Sequence, residues 1–195
     1  MKNRHQSPIS AAAIAAALIF SSELHAQSEQ TRTLELEGGG RVSYTLRTHP
    51  PDAHLLRPAA ELAPSSALDA AKLLNLHLST GDLEEAALLS NSPRRRFEVL
   101  RDYRESIGAD EFKRVFAQYF FPENRLLAEI AIDKHRLLLW ELKSGVQSGT
   151  ASSFIAGQYF VEVDGRYLID DVPNDVRTSL RWVLEAYRTG KIPRP

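Results

Sequence analysis

Polar and apolar positions change period three times along the chain. Between residues 31 and 48 they alternate. Leu34 and Leu36 share one face before the break at Gly38-Gly39-Gly40, and Val42, Tyr44 and Leu46 share one face after it. A period of two around a glycine turn predicts a half-exposed β-hairpin. Pro50, Pro51, Pro58 and Pro64 then interrupt any regular element, so 49–66 reads as a loop or linker. From 66 to 121 the period is helical. Leu68, Ala71, Leu74 and Leu78 lead to a stop at Gly81, and Asp82 with Glu85 makes a capping-box-like start for a short helix over 83–89. Ser92 and Pro93 open a helix to Ile107 with Phe97, Leu100, Tyr103 and Ile107 as its stripe, and Gly108 ends it. Asp110 caps a last helix in which Phe112, Val115, Phe116, Tyr119 and Phe120 face inward, and Pro122 closes it.

The final third is strand-rich. Residues 126–132 and 136–142 flank a turn at 133–135, and 152–163 and 166–169 flank Asp164-Gly165, a strong hairpin signal. Asn174 caps a closing helix with Val176, Leu180, Val183, Leu184 and Tyr187 on one face. Helices followed by antiparallel strands predict an α+β domain. The first hairpin, tied on by a proline-rich linker, reads as an appendage.

The N-terminus adds an address. Lys2, Arg4 and His5 precede an apolar run from Ile9 to Phe20, and Ser21-Ser22-Glu23-Leu24-His25 leads to a small residue, Ala26, before a polar segment. That is the pattern of a Sec-type signal peptide cleaved near Ala26. The run is too short for a permanent span of roughly 20 residues, so no stable membrane anchor is expected after cleavage. A periplasmic location follows, with secretion or retention as a signal anchor as the alternatives. The organisation predicted is a signal peptide at 1–26, a hairpin and linker at 27–66, and the main α+β domain with its closing helix at 67–195.

Composition narrows the chemistry. Of 195 residues none is cysteine, which removes thiol catalysis, cysteine-bound zinc and iron–sulfur clusters. The charge is −1 overall, so no nucleic-acid partner is predicted. Six scattered histidines make no metal motif, and neither a phosphate loop nor a nucleophile elbow is present, so no metal and no cofactor are expected.

Glu129, in the apolar stretch Leu127-Ala128-Glu129-Ile130-Ala131, and His77, between Leu76 and Leu78, are the candidate general bases. A desolvated Glu129 would have a raised pKa, but strand alternation puts it with Leu127 and Ala131 on the solvent face of an edge hairpin. His77 reads as a boundary histidine, His135 as an exposed turn histidine, and Asp170-Asp171 as turn and cap residues. Tyr119, Trp140, Phe154 and Tyr159 are the candidate lining of an apolar pocket, with simple core packing as the plainer role. Arg94, Arg95 and Arg96 follow Pro93, where positive charge opposes the helix dipole; they are the candidate partner contact.

Residues 67–171 resemble the NTF2-like (cystatin-like, SnoaL-type) superfamily. The likeness lies in Leu76-His77-Leu78-Ser79-Thr80-Gly81-Asp82-Leu83-Glu84-Glu85-Ala86, in Tyr119-Phe120-Phe121, and in the two hairpins, the last running from Tyr159 to Ile169. It implies N-terminal helices packed into a curved antiparallel sheet as a cone, here with an extra N-terminal hairpin and a C-terminal helix. It also implies a homodimer paired through the sheet. Since this superfamily holds both enzymes and non-catalytic domains, the expectation is an exported, non-catalytic domain binding an envelope protein or a small apolar ligand. The alternative is a cofactor-independent isomerase or dehydratase using Glu129 or His77.

Overall fold

The computed structural model describes residues 29–56, 62–143 and 152–194. The segment 1–26, predicted to be a signal peptide, and the middle of the proline-rich linker, 57–61, lie outside the described residues. Six strands, β1 (Glu29–Glu35), β2 (Arg41–Arg47), β3 (Arg125–Ile132), β4 (His135–Lys143), β5 (Ser153–Val163) and β6 (Arg166–Ile169), form one curved antiparallel sheet in sequence order. The helices are α1 (Ala67–Thr80), α2 (Leu83–Leu88), α3 (Pro93–Ile107), α4 (Ala109–Ala117) and α5 (Asp175–Arg188). The α+β class read from the sequence is the one found.

Local chemistry sets the helix ends. Ser66 Oγ accepts the Asp69 N–H at 3.1 Å and starts α1. Gly81, at φ 87°, ends it, where a side chain would be strained, and the Asp82 N–H donates back to the His77 carbonyl at 2.8 Å. Asp82 Oδ1 accepts the Glu85 N–H at 3.3 Å to open α2, and Asn174 Oδ1 accepts the Arg177 N–H at 2.7 Å to open α5. Ser92 makes no such bond, so Pro93 alone opens α3. Gly108 both ends α3 and precedes α4, which places Asp110 within the first turn of α4 rather than at its cap.

The centre of the sheet is covered on both faces. On the inner face α1–α4 pack against Leu138, Trp140, Leu142, Phe160 and Ile169. On the outer face α5 lays Leu180, Val183, Leu184 and Tyr187 over Ile130, Leu137, Leu139 and Ile155. Each such buried aliphatic side chain contributes roughly 1.5–3 kcal/mol relative to exposure, which is ample to seat one helix. The unbroken apolar run Leu137-Leu138-Leu139-Trp140 is the mark of a strand covered on both sides. Gly157 sets how closely α5 approaches, because a Cβ there would lie 2.7 Å from Leu184 Cδ2 and 3.0 Å from Leu137 Cδ1.

The first hairpin is integral rather than an appendage. β2 pairs with β3 through Thr45–Ala131, Leu46–Ile130 and Arg47–Glu129. Leu34, Val42, Tyr44 and Leu46 share the outer-face core with α5. The helical layer stops short of β1 and β2, whose inner face is polar, with Thr33 opposite Ser43 and Glu35 ion-paired to Arg41 at 2.9 Å.

Candidate functional site

β3 carries a buried acid–base cluster. Its register slips between Leu126 and Ala128, so Leu127 and Ala128 both pack into the outer-face core. The bulge resets the alternation and turns Glu129 inward. Because β2 flanks β3, the strand is internal, and Glu129 is only 4% exposed. The solvent-face position expected from simple alternation is therefore corrected: the bulge breaks the phase and the N-terminal hairpin covers the edge.

Three basic side chains meet this carboxylate. Arg47 donates to Oε2 at 2.6 Å, His49 Nε2 lies 3.2 Å from the same oxygen, and the Arg136 Nε is 3.4 Å from Oε1. The Arg136 guanidinium also lies over the Tyr167 ring, 5.5 Å from its centre. Burial pushes the Glu129 carboxyl upward, but hydrogen bonds and charge from His49 and Arg47 outweigh it and hold the group below its ordinary value. A raised pKa, expected of a desolvated base, is thus reversed. Glu129 lines a cleft of about 230 Å³ with Arg136, Tyr167 and Ser66. Arg47 and Ser66 are shared with a cleft of about 500 Å³ bounded by Asp52, Leu55, Asp69 and Lys72. Asp69 is itself held by Ser66 at the start of α1.

The other candidates disperse. His77 sits half-buried on the last turn of α1, 3.7 Å from Asp82, and lines neither cleft. Tyr119 and Trp140 meet edge-on beneath the helices, ring centres 5.1 Å apart, and burial pushes the Tyr119 phenol up to about 12. Phe154 is 47% exposed, and Tyr159 lies on the opposite face of the sheet beside α5. The four aromatics share no cavity, because Tyr159 is out of phase with Trp140 across the sheet.

Beneath α1 the buried Asn75 accepts from Gln158 at 3.0 Å. His135 is not an exposed turn residue. It opens β4, and its Nδ1 lies 2.9 Å from the buried Asp170. Asp170 also accepts from Asn91 at 3.1 Å and Asn174 at 3.2 Å. Of the three arginines, Arg94 and Arg95 face solvent, Arg94 pairing with Glu98 at 3.3 Å. Arg96 is turned inward in a bidentate pair with Asp171, which also accepts from Ser90 at 2.6 Å. Unlike its two neighbours, Arg96 is thus paired within the chain through a buried carboxylate, Asp171 supplying the counter-charge that the start of α3 lacked. Among the described residues no group of three or more His, Asp or Glu side chains is placed to hold a metal ion.

Sequence reading missed one region. Arg177, Arg181 and Arg188 follow one another along α5 and border a groove of about 350 Å³ whose floor is Gly157 and Tyr159. Arg177 stacks on the Tyr159 ring at 5.4 Å. Arg188 donates to the Ile155 carbonyl at 3.0 Å and pairs with Glu185 at 2.8 Å. Burial pushes the Tyr159 phenol up, and the three arginines oppose that shift. Among the described residues Arg177 and Arg181 have no carboxylate partner. The signal was in the sequence as an arginine stripe beside the apolar stripe of a helix; nothing local told which strand lay beneath it.

Fold and sites together define an α+β protein with helices on both faces of a six-stranded antiparallel meander, an inner cleft around an ion-paired glutamate and a cationic outer groove. Comparison of the chain with protein-family models, with curated proteins and with solved structures finds no match.

Proposed function

We propose that the protein is a non-catalytic binding domain of NTF2-like form, exported to the cell envelope, whose partner is another protein. One observation carries the reading: the buried carboxylate Glu129 is fully engaged by basic neighbours within the chain, whereas, among the described residues, Arg177 and Arg181 on the outer groove meet no carboxylate. A general base needs an unshared lone pair and a pKa near the working pH. Glu129 has its oxygens engaged by Arg47, His49 and Arg136 and is held below its ordinary value. A small apolar ligand has no seat where Tyr119 and Trp140 fill the space beneath α1. Helices over a curved sheet support the likeness to the superfamily, with β1, β2 and α5 as additions. Since α5 covers the outer face, pairing of two copies through that face is disfavoured, and the partner is a different chain.

A photo-crosslinking residue at position 181 of the full chain, expressed in producing cells, tests this. The reading expects a chain beginning near Gln27 in the osmotic-shock fraction, with a protein adduct from position 181 and none from position 45 above Glu129. Full-length chain retained in the cytosol overturns export. Adducts from neither position, or equally from both, overturn the partner surface.

A further inference from the structure

The groove beside α5 runs along a strand edge that is open among the described residues. β6 pairs only with residues 160–163 of β5. Its far side is closed, because the Ile169 N–H donates to the Leu89 carbonyl, the Ile169 carbonyl accepts from Asn91, and the Tyr167 N–H donates to the Pro64 carbonyl. Among the described residues β5 before Tyr159 has no such backbone cover.

Which backbone groups face that edge follows from alternation along the strand. The Glu162 N–H donates to the Lys134 carbonyl, on the β4 side, whereas the Tyr159 carbonyl accepts from Asp170 and the Ile155 carbonyl from Arg188. Odd-numbered residues therefore point away from β4. The Gly157 N–H and carbonyl and the Ile155 N–H are left without a partner strand.

The arginines are in step with this edge. Arg177 covers Tyr159, Leu184 touches the Gly157 position, and Arg188 reaches Ile155. Three contacts in that order mean that α5 runs antiparallel alongside β5. Arg177 and Arg181 are separated by about 6 Å of helix rise, and alternate residues of an added strand stand about 6.7 Å apart. Acidic side chains at every second position of such a strand would meet successive arginines. A second copy of this edge does not fit, because residues 153–161 contain no carboxylate.

Resting on the proposal of a protein partner, we propose that the partner inserts a short extended segment with acids at alternate positions, which adds to the open edge of β5 and places its carboxylates against Arg177 and Arg181. Main-chain hydrogen bonds would supply affinity and the arginine pair specificity, as in strand-addition recognition.

A fluorescent ten-residue peptide alternating Glu and Val tests this with the full chain, read by anisotropy. The controls are a Lys–Val peptide, the Glu–Val peptide N-methylated on the residues that face β5, and vesicles containing anionic lipid. We expect saturable binding of the Glu–Val peptide and none of the Lys–Val peptide. Binding should weaken at least about tenfold in Arg177→Glu/Arg181→Glu and at least about tenfold on N-methylation, the loss of two net hydrogen bonds.

Binding that ignores N-methylation overturns strand addition and leaves the position-181 crosslink as the separate measure of a protein partner. No binding of the Glu–Val peptide overturns the proposal outright. Vesicle binding lost in the same arginine variant assigns the groove to a membrane surface instead and overturns it. Dimerisation of the chain through β5, seen by light scattering and abolished by Gly157→Pro, does the same in favour of a second copy.

Discussion

Arginine is used in two ways on the two faces of this sheet. Around Glu129, two arginines and a histidine close on one buried carboxylate, tying the end of β2, the loop after it and the start of β4 to β3. Along α5, Arg177 lies over Tyr159 and Arg181 lines the same groove, and among the described residues neither has a carboxylate to meet. Burial and counter-charge make the difference. Charge answered within the chain holds the fold together, and charge left unanswered is available to something outside it.

The largest expected effect breaks the first half of that comparison. Glu129→Ala leaves Arg47, His49 and Arg136 facing one another, and removal of one partner from a buried ion pair costs about 3 kcal/mol or more. Urea unfolding should show the midpoint fall with an unchanged slope. A midpoint equal to that of the wild type would mean that the cluster holds nothing. Next comes Gly157→Ala. Its Cβ would press on Leu184 and Leu137, and overpacking of this kind costs about 1–3 kcal/mol. Thermal melting should drop, and peptide binding should fall with it because α5 lifts off β5.

A pH effect is smaller. The Glu129 carboxyl is held below its ordinary value in the folded chain. Its contribution to stability is therefore fully present above the unfolded glutamate value of about 4.3 and is lost as pH falls through the lower folded value. Acid unfolding of Glu129→Gln should be less steep below that pH than acid unfolding of the wild type. Curves of equal steepness would contradict the assigned shift. The smallest effect on stability belongs to Arg177→Glu/Arg181→Glu, which should leave the melting curve within about 0.5 kcal/mol, as expected of surface changes. A larger loss would show that these arginines hold α5 in place.

Most helix ends were legible because local chemistry marks them: Ser66, Gly81, Asp82, Pro93, Gly108 and Asn174 all stand at or beside the ends predicted. The strand turn at 164–165 was equally plain, and the one read at 133–135 ran a single residue too long, since His135 opens β4. What was hidden depended on partners far along the chain. A period of two says which residues share a face, but not whether a strand is internal, and the β2–β3 pairing joins segments some eighty residues apart. One inserted residue, Leu127, reversed the phase on which the placement of Glu129 depended. The partners of Arg96 and His135 were hidden for the same reason, since their carboxylates, Asp171 and Asp170, follow β6. The arginine stripe on α5 was visible as a pattern; its alignment with β5 is a tertiary fact.

The most direct test of the division between the two faces is the affinity of the Glu–Val peptide for Glu129→Gln and for Arg177→Glu/Arg181→Glu, measured where both variants are fully folded. The account predicts that the Glu129 variant binds within about twofold of the wild type, as distant sites act independently, while the arginine variant loses binding at unchanged stability. Loss of binding in the Glu129 variant with binding retained in the arginine variant would contradict it.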